Sequence, residues 1–133
     1  MFSKKINKFV QNVKDDMNDT HRRTALDVFA KVVKRTPVGN PDLWKSKPPP
    51  GYVGGHARAN WQMSINTIPR SEIDGTTPPR AANVARANIN DKIYIVNNAP
   101  YIQALEHGHS SQAPSGMVKV TVSEFKSIVH GNV

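Results

Sequence analysis

The residues best equipped for chemistry stand together in one short run, Glu106-His107-Gly108-His109, followed by Ser110 and Ser111. Imidazole and carboxylate are good ligands for zinc and other first-row metals. A catalytic zinc, however, takes three protein ligands, and helix-borne pairs are spaced to share one face. Gly108 breaks that spacing, and His21, His56 and His130 lie far off in the chain. The plainer reading is a turn with exposed histidines. A serine hydrolase would need its nucleophile on a Gly-x-Ser-x-Gly elbow, which is absent, and Ser110 and Ser111 are merely adjacent to His109. Gly51-Tyr52-Val53-Gly54-Gly55 lacks the Lys-Ser/Thr of a phosphate-cradling loop. Asp15 and Asp16 are consecutive on a helix and point to different faces. No catalytic residue, metal or cofactor is expected, and the chain reads as a non-enzyme.

Charge is the stronger signal. The 133 residues carry a net +8, and the excess is uneven. Residues 1–36 hold nine Lys/Arg against four Asp, residues 37–70 hold four against one, and residues 71–133 hold five against five. A basic first half attracts polyanions, either nucleic acid or an acidic protein surface. Lys4, Lys5, Lys8, Lys45 and Lys47 are the candidate polyanion contacts, with Lys34, Arg35 and Arg58 nearby in the sequence. No helix-turn-helix, zinc finger or RNA-binding aromatic motif accompanies them. The chain has no cysteine, which removes disulfides and thiol chemistry. It shows no apolar run near the ~20 residues of a membrane span. Its first residues have no signal-peptide core, so a protein made in the cytoplasm is expected.

The elements that must position these residues follow from periodicity. Ile6, Phe9, Val10, Val13 and Met17 recur at steps of three and four, and the stripe resumes at Ala25, Val28, Phe29, Val32 and Val33. This predicts one long helix, or two consecutive ones, over 3–35. The polar stretch between, Asn18 to Arg23, marks either a kink or a first half that packs on another subunit. Pro37 ends the helix. Residues 37–58 hold five of the ten prolines and four of the eight glycines, yet include Leu43, Trp44, Tyr52 and Val53. That composition predicts an extended loop whose apolar residues dock on something. Trp61, Met63 and Ile65 alternate with polar residues, predicting a strand over 59–68. Pro78-Pro79 and the alanines that follow predict a short helix over 80–89. Residues 92–97 read as a strand, and 100–107 as a helical turn closed by Gly108. Val118, Val120 and Val122 alternate as a further strand. A final helix over 122–130 is predicted from a Thr121–Glu124 capping box and one face of Val122, Phe125, Ile128 and Val129. The expected class is α+β: one domain over 1–133 with a long N-terminal helix, a small mostly antiparallel sheet and a short C-terminal helix.

Two segments together resemble a known family. One is Thr36-Pro37-Val38-Gly39 after the long helix, followed by Gly55-His56-Ala57-Arg58-Ala59-Asn60-Trp61-Gln62-Met63-Ser64. The other, more specific, runs from Tyr94 through Asn97-Asn98-Ala99-Pro100-Tyr101-Ile102-Gln103-Ala104-Leu105-Glu106-His107-Gly108 to Met117-Val118. The chain resembles the tail-completion proteins of long-tailed bacteriophages, the neck, head–tail joining and tail-terminator subunits. Matching pieces span about residues 24–130; the Pro-rich insertion of 40–54 is a departure. The resemblance implies a structural virion protein at the head–tail junction, assembled in the bacterial cytoplasm. It would form a ring of its own copies, a hexamer by the family's pattern, and meet the tail tube protein or the head connector protein, with DNA passing through. Phe2, Ile6, Phe9, Leu43, Trp44, Tyr52 and Glu106 are the candidate subunit-interface residues. Tyr101 and Leu105, four apart, would seal the core edge. A small basic DNA-binding protein is the alternative.

Overall fold

The computed structural model describes residues 2–38, 54–108, 112–113 and 115–133. Its class is α+β, with a long N-terminal helix, a two-stranded antiparallel sheet and short C-terminal helices. In chain order these are α1 (Phe2–Arg35), α2 (His56–Ala59), β1 (Trp61–Ile65), β2 (Ile93–Asn97), α3 (Ile102–Glu106), α4 (Val118–Ser123) and α5 (Phe125–Gly131).

The 34 residues of α1 run unbroken through the polar stretch at Asn18–Arg23. That stretch is polar because it grips backbone. Asn18 Oδ1 accepts from the Ile89 N–H at 2.9 Å, His21 Nε2 donates to the Asp91 carbonyl at 3.0 Å, and Arg22 Nε donates to the Ala87 carbonyl. The same bonds explain why residues 80–89 form no helix, against the sequence expectation. Their backbone groups are claimed from outside, and the Asn83 and Asn88 side chains bond the backbone two residues on. Such side chain–backbone bonds compete with the helical ladder.

The second half of α1 presents Ala25, Phe29 and Val32 to the core, where they meet Trp61 and Met63 of β1, Val84, Ala87, Ala113 and Met117. β1 pairs with β2 from Trp61↔Asn97 to Ile65↔Ile93. That register puts Trp61, Met63 and Ile65 on one face with Asn97, Ile95 and Ile93. A two-stranded sheet is marginal alone and needs a helix beneath it; here α1 supplies it. Asn66, at φ 61°, closes the sheet end by exchanging hydrogen bonds with Lys92 through its backbone N–H and its side-chain oxygen.

The C-terminus of α1 is tied to β1 by a buried relay. Thr36 Oγ1 donates to the Val32 carbonyl and accepts from Trp61 Nε1, both at 2.6 Å. Arg58 Nη2 donates to the Thr36 carbonyl at 2.8 Å and to that of Lys34 at 3.3 Å. A cation on the last carbonyls suits the negative end of the helix dipole.

The C-terminal part differs from expectation. Residues 118–123 form a helix, not a strand, although their valines alternate. The cause lies in α3. Glu106 Oε1 accepts from the N–H groups of Met117 and Val118, and Oε2 from that of Lys119, at 2.9–3.0 Å. The carboxylate thus takes up three donors at the start of α4, which nucleates a helix there. The predicted Thr121–Glu124 capping box is also absent. Thr121 Oγ1 bonds back to the Met117 carbonyl at 2.7 Å, and Glu124 faces Arg35 in a bidentate pair at 2.7 and 2.9 Å. Arg35 also donates to Thr121 Oγ1 at 2.9 Å, so one guanidinium fastens the end of α1 to the α4–α5 junction.

Candidate interaction surface

Residues 2–17 of α1 are exposed throughout. At 1.5 Å per residue they extend about 24 Å before the contacts at Asn18 begin. Phe2, Ile6, Phe9, Val10, Val13 and Met17 line up along this stretch, and all are exposed, Phe2 at 78% and Phe9 at 67%. Amphipathic helices owe most of their stability to the surface their apolar face meets. Among the described residues, nothing covers its first part, from Phe2 to Val10. Lys4 and Lys8 lie behind the stripe by helical spacing and Lys5 on its flank.

The stripe leads into a groove of about 680 Å³ between α1 and α5. Val13, Met17, Thr20, Ile89, Phe125 and Val129 line it, joined by Asp16, Asp19 and Arg23. Within α5, Ile128 turns into the core while Phe125 remains 51% exposed at the groove. The face predicted for Val122, Phe125, Ile128 and Val129 is therefore divided between core and surface. The groove itself was invisible in the sequence, since Met17 and Phe125 are brought together only by the fold.

Of the other predicted interface residues, Glu106 is engaged within the chain at α4. Burial pushes its carboxyl up, but the N–H groups of Lys119, Val118 and Met117 outweigh that and hold it below the usual carboxylate range. Leu43, Trp44 and Tyr52, and Lys45 and Lys47 among the polyanion contacts, lie outside the described residues, as do His109, Ser110 and Ser111. Lys34 is exposed at the end of α1. Leu105 packs on the core as expected, whereas Tyr101 is exposed, its ring centroid 6.3 Å from that of His56.

Among the described residues of the resembling segments, His56 is strongly engaged. Its Nδ1 lies 2.9 Å from the Gly75 carbonyl and its Nε2 lies 2.7 Å from Glu72 Oε1. These two partners are acceptors and favour a doubly protonated ring, while the Asn60 amide nitrogen stands farther off, 3.3 Å from the same Nε2. The Glu72 carboxylate, followed by the Gly75 carbonyl, raises its pKa above the ordinary histidine value. This pair fastens the 72–75 segment to α2. Among the described residues no group of three His, Cys, Asp or Glu is placed to hold a metal ion, and no helix is long and apolar enough to cross a membrane. Comparison with known protein families, with curated proteins and with solved structures finds no match for this chain.

Proposed function

We propose that this chain is a structural subunit that forms a ring at the head–tail junction of a long-tailed bacteriophage, ending the tail tube or joining it to the head connector. The observation that carries the reading is the projecting half of α1, whose apolar stripe faces solvent in the single chain. A contiguous stripe of this kind marks a surface that another protein covers. The two resembling segments support it from the sequence side. Thr36 and Trp61 are buried and bonded to each other, Arg58 holds the Thr36 carbonyl, and Glu106 governs the start of α4. All four lie within the two segments that carry the resemblance. Head-to-tail contacts close into a ring when the rotation per subunit divides the circle. Negative-stain electron microscopy and native mass spectrometry of the purified protein test the reading. Closed rings of one size are expected, and a strictly monomeric protein at micromolar concentration refutes it. Particles made without the protein should accumulate as separate heads and tails.

A second reading, a small basic DNA-binding protein, draws on Lys4, Lys5 and Lys8, exposed on the same helix. It requires duplex binding whose affinity falls steeply with salt and is lost on reversing those three charges.

A further inference from the structure

The projecting stripe and the groove are complementary, and we infer that they are two halves of one contact: the segment Phe2–Val10 of each subunit seats in the α1–α5 groove of the next copy. This rests on the ring reading for its one-way sense, and on the surfaces themselves for the rest.

The residues divide cleanly. Phe2, Ile6, Phe9 and Val10 belong to the inserted segment; Met17, Ile89, Phe125 and Val129 belong to the groove. Because α1 is one continuous helix and forms a wall of the groove from Val13 onward, Phe2–Val10 cannot fold back into it. Its own helix therefore cannot supply the complement, and a second copy can. An amphipathic helix with anchors at i, i+4, i+7 and i+8 is a standard occupant of an apolar groove. Taking ~200 Å² per aromatic side chain, Phe2 and Phe9 alone leave about 300 Å² exposed, already the scale of a whole monomer's largest apolar patch.

Charge favours a second copy over an unrelated helix. Residues 2–14 carry Lys4, Lys5, Lys8 and Lys14 with no acid, whereas residues 15–27 carry Asp15, Asp16, Asp19 and Asp27 against Arg22 and Arg23. Arg22 and Asp19 offset each other within that second segment, which stays net acidic. Seating one copy's first segment in the next copy's groove brings Lys5, on the flank of the stripe, toward Asp16 and Asp19 at the groove, while Lys4 and Lys8 face away.

The chain's lack of cysteine makes the test direct. Phe9→Cys and Phe125→Cys proteins are prepared separately, mixed and oxidised mildly. Both positions are exposed, so the fold is preserved, and circular dichroism checks this. A disulfide between the two variants, with neither variant joining to itself, is expected. The doubly substituted protein should then give a ladder ending at the ring size. As an independent readout, Phe9→Glu and Phe125→Glu should each weaken assembly at least 100-fold by analytical ultracentrifugation. Rings that form without a Phe9–Phe125 link overturn this inference and leave the ring reading standing. Self-linked Phe9→Cys dimers also overturn it. A ladder that stops at a doubly linked dimer keeps the contact and refutes the ring. A monomer with no link refutes both.

Discussion

Replacing Glu106 by alanine removes the acceptor of three backbone N–H groups, and the cost can be worked donor by donor. Met117 is fully buried, so its N–H would be left without a partner, at about 1–3 kcal/mol. Val118 and Lys119 are exposed and recover water, losing roughly 0.5–1 kcal/mol each. The sum is about 2–5 kcal/mol, which lowers Tm by on the order of 10 °C for a chain of this size. Glu106→Gln keeps an acceptor oxygen and should lose about half as much. The assay is urea denaturation of the subunit under conditions where it does not assemble. An unchanged m-value would show that stability, and not the unfolded state, has moved. A pH series sharpens it. The folded carboxyl lies below its unfolded value of about 4.3, so its contribution is present above that pH and lost as pH falls through the lowered value. The Gln variant should lack that acid-labile component. If Glu106→Ala changes subunit stability by less than about 0.5 kcal/mol yet abolishes assembly, the carboxylate works between subunits and does not hold the start of α4.

Gly116 has φ +82°, and a Cβ there would come within 3 Å of the Glu106 carbonyl and carboxylate. Gly116→Ala should therefore destabilise by at least ~1 kcal/mol, and in a double-mutant cycle with Glu106→Ala the two losses should fall short of their sum. Thr36→Val leaves the buried Trp61 indole N–H unpaired, costing about 1–3 kcal/mol in denaturation, whereas Thr36→Ser should be nearly silent. His56 should titrate by NMR above the ordinary histidine value. Its bonds to Glu72 and Gly75 stabilise the fold below about pH 6.5 and weaken as pH rises through the raised folded value. A His56 pKa at or below 6.5, or no change in it on Glu72→Gln, would count against the doubly protonated ring.

Local pattern and long-range partner divide what the sequence disclosed. The course of α1, the alternation of Trp61, Met63 and Ile65, the strand at 93–97 and the turn ending at Gly108 depend on period and punctuation, and each was legible. Residues 80–89 and 118–123 were misread because their conformations are imposed from far away. Asn18, His21 and Arg22 hold one, Glu106 the other, and no window of neighbouring residues contains those partners. The apolar stripe was readable as a stripe. Whether it would be covered was not, since that depends on where the rest of the chain packs. Phe125 shows the converse: its helical face was foreseen, but the division of that face between core and groove needed the position of α1.

The unbroken length of α1 turns it into a lever. With its grip at Asn18 and beyond, a tilt of about 5° there would swing Phe2 through about 2 Å over the ~24 Å of free helix. Small changes in how Arg35, Thr36 and Asn18 seat the shaft are therefore magnified at its tip. A substitution deep in the body could alter which neighbour the tip reaches, and so the circumference of what is built, without touching any surface residue.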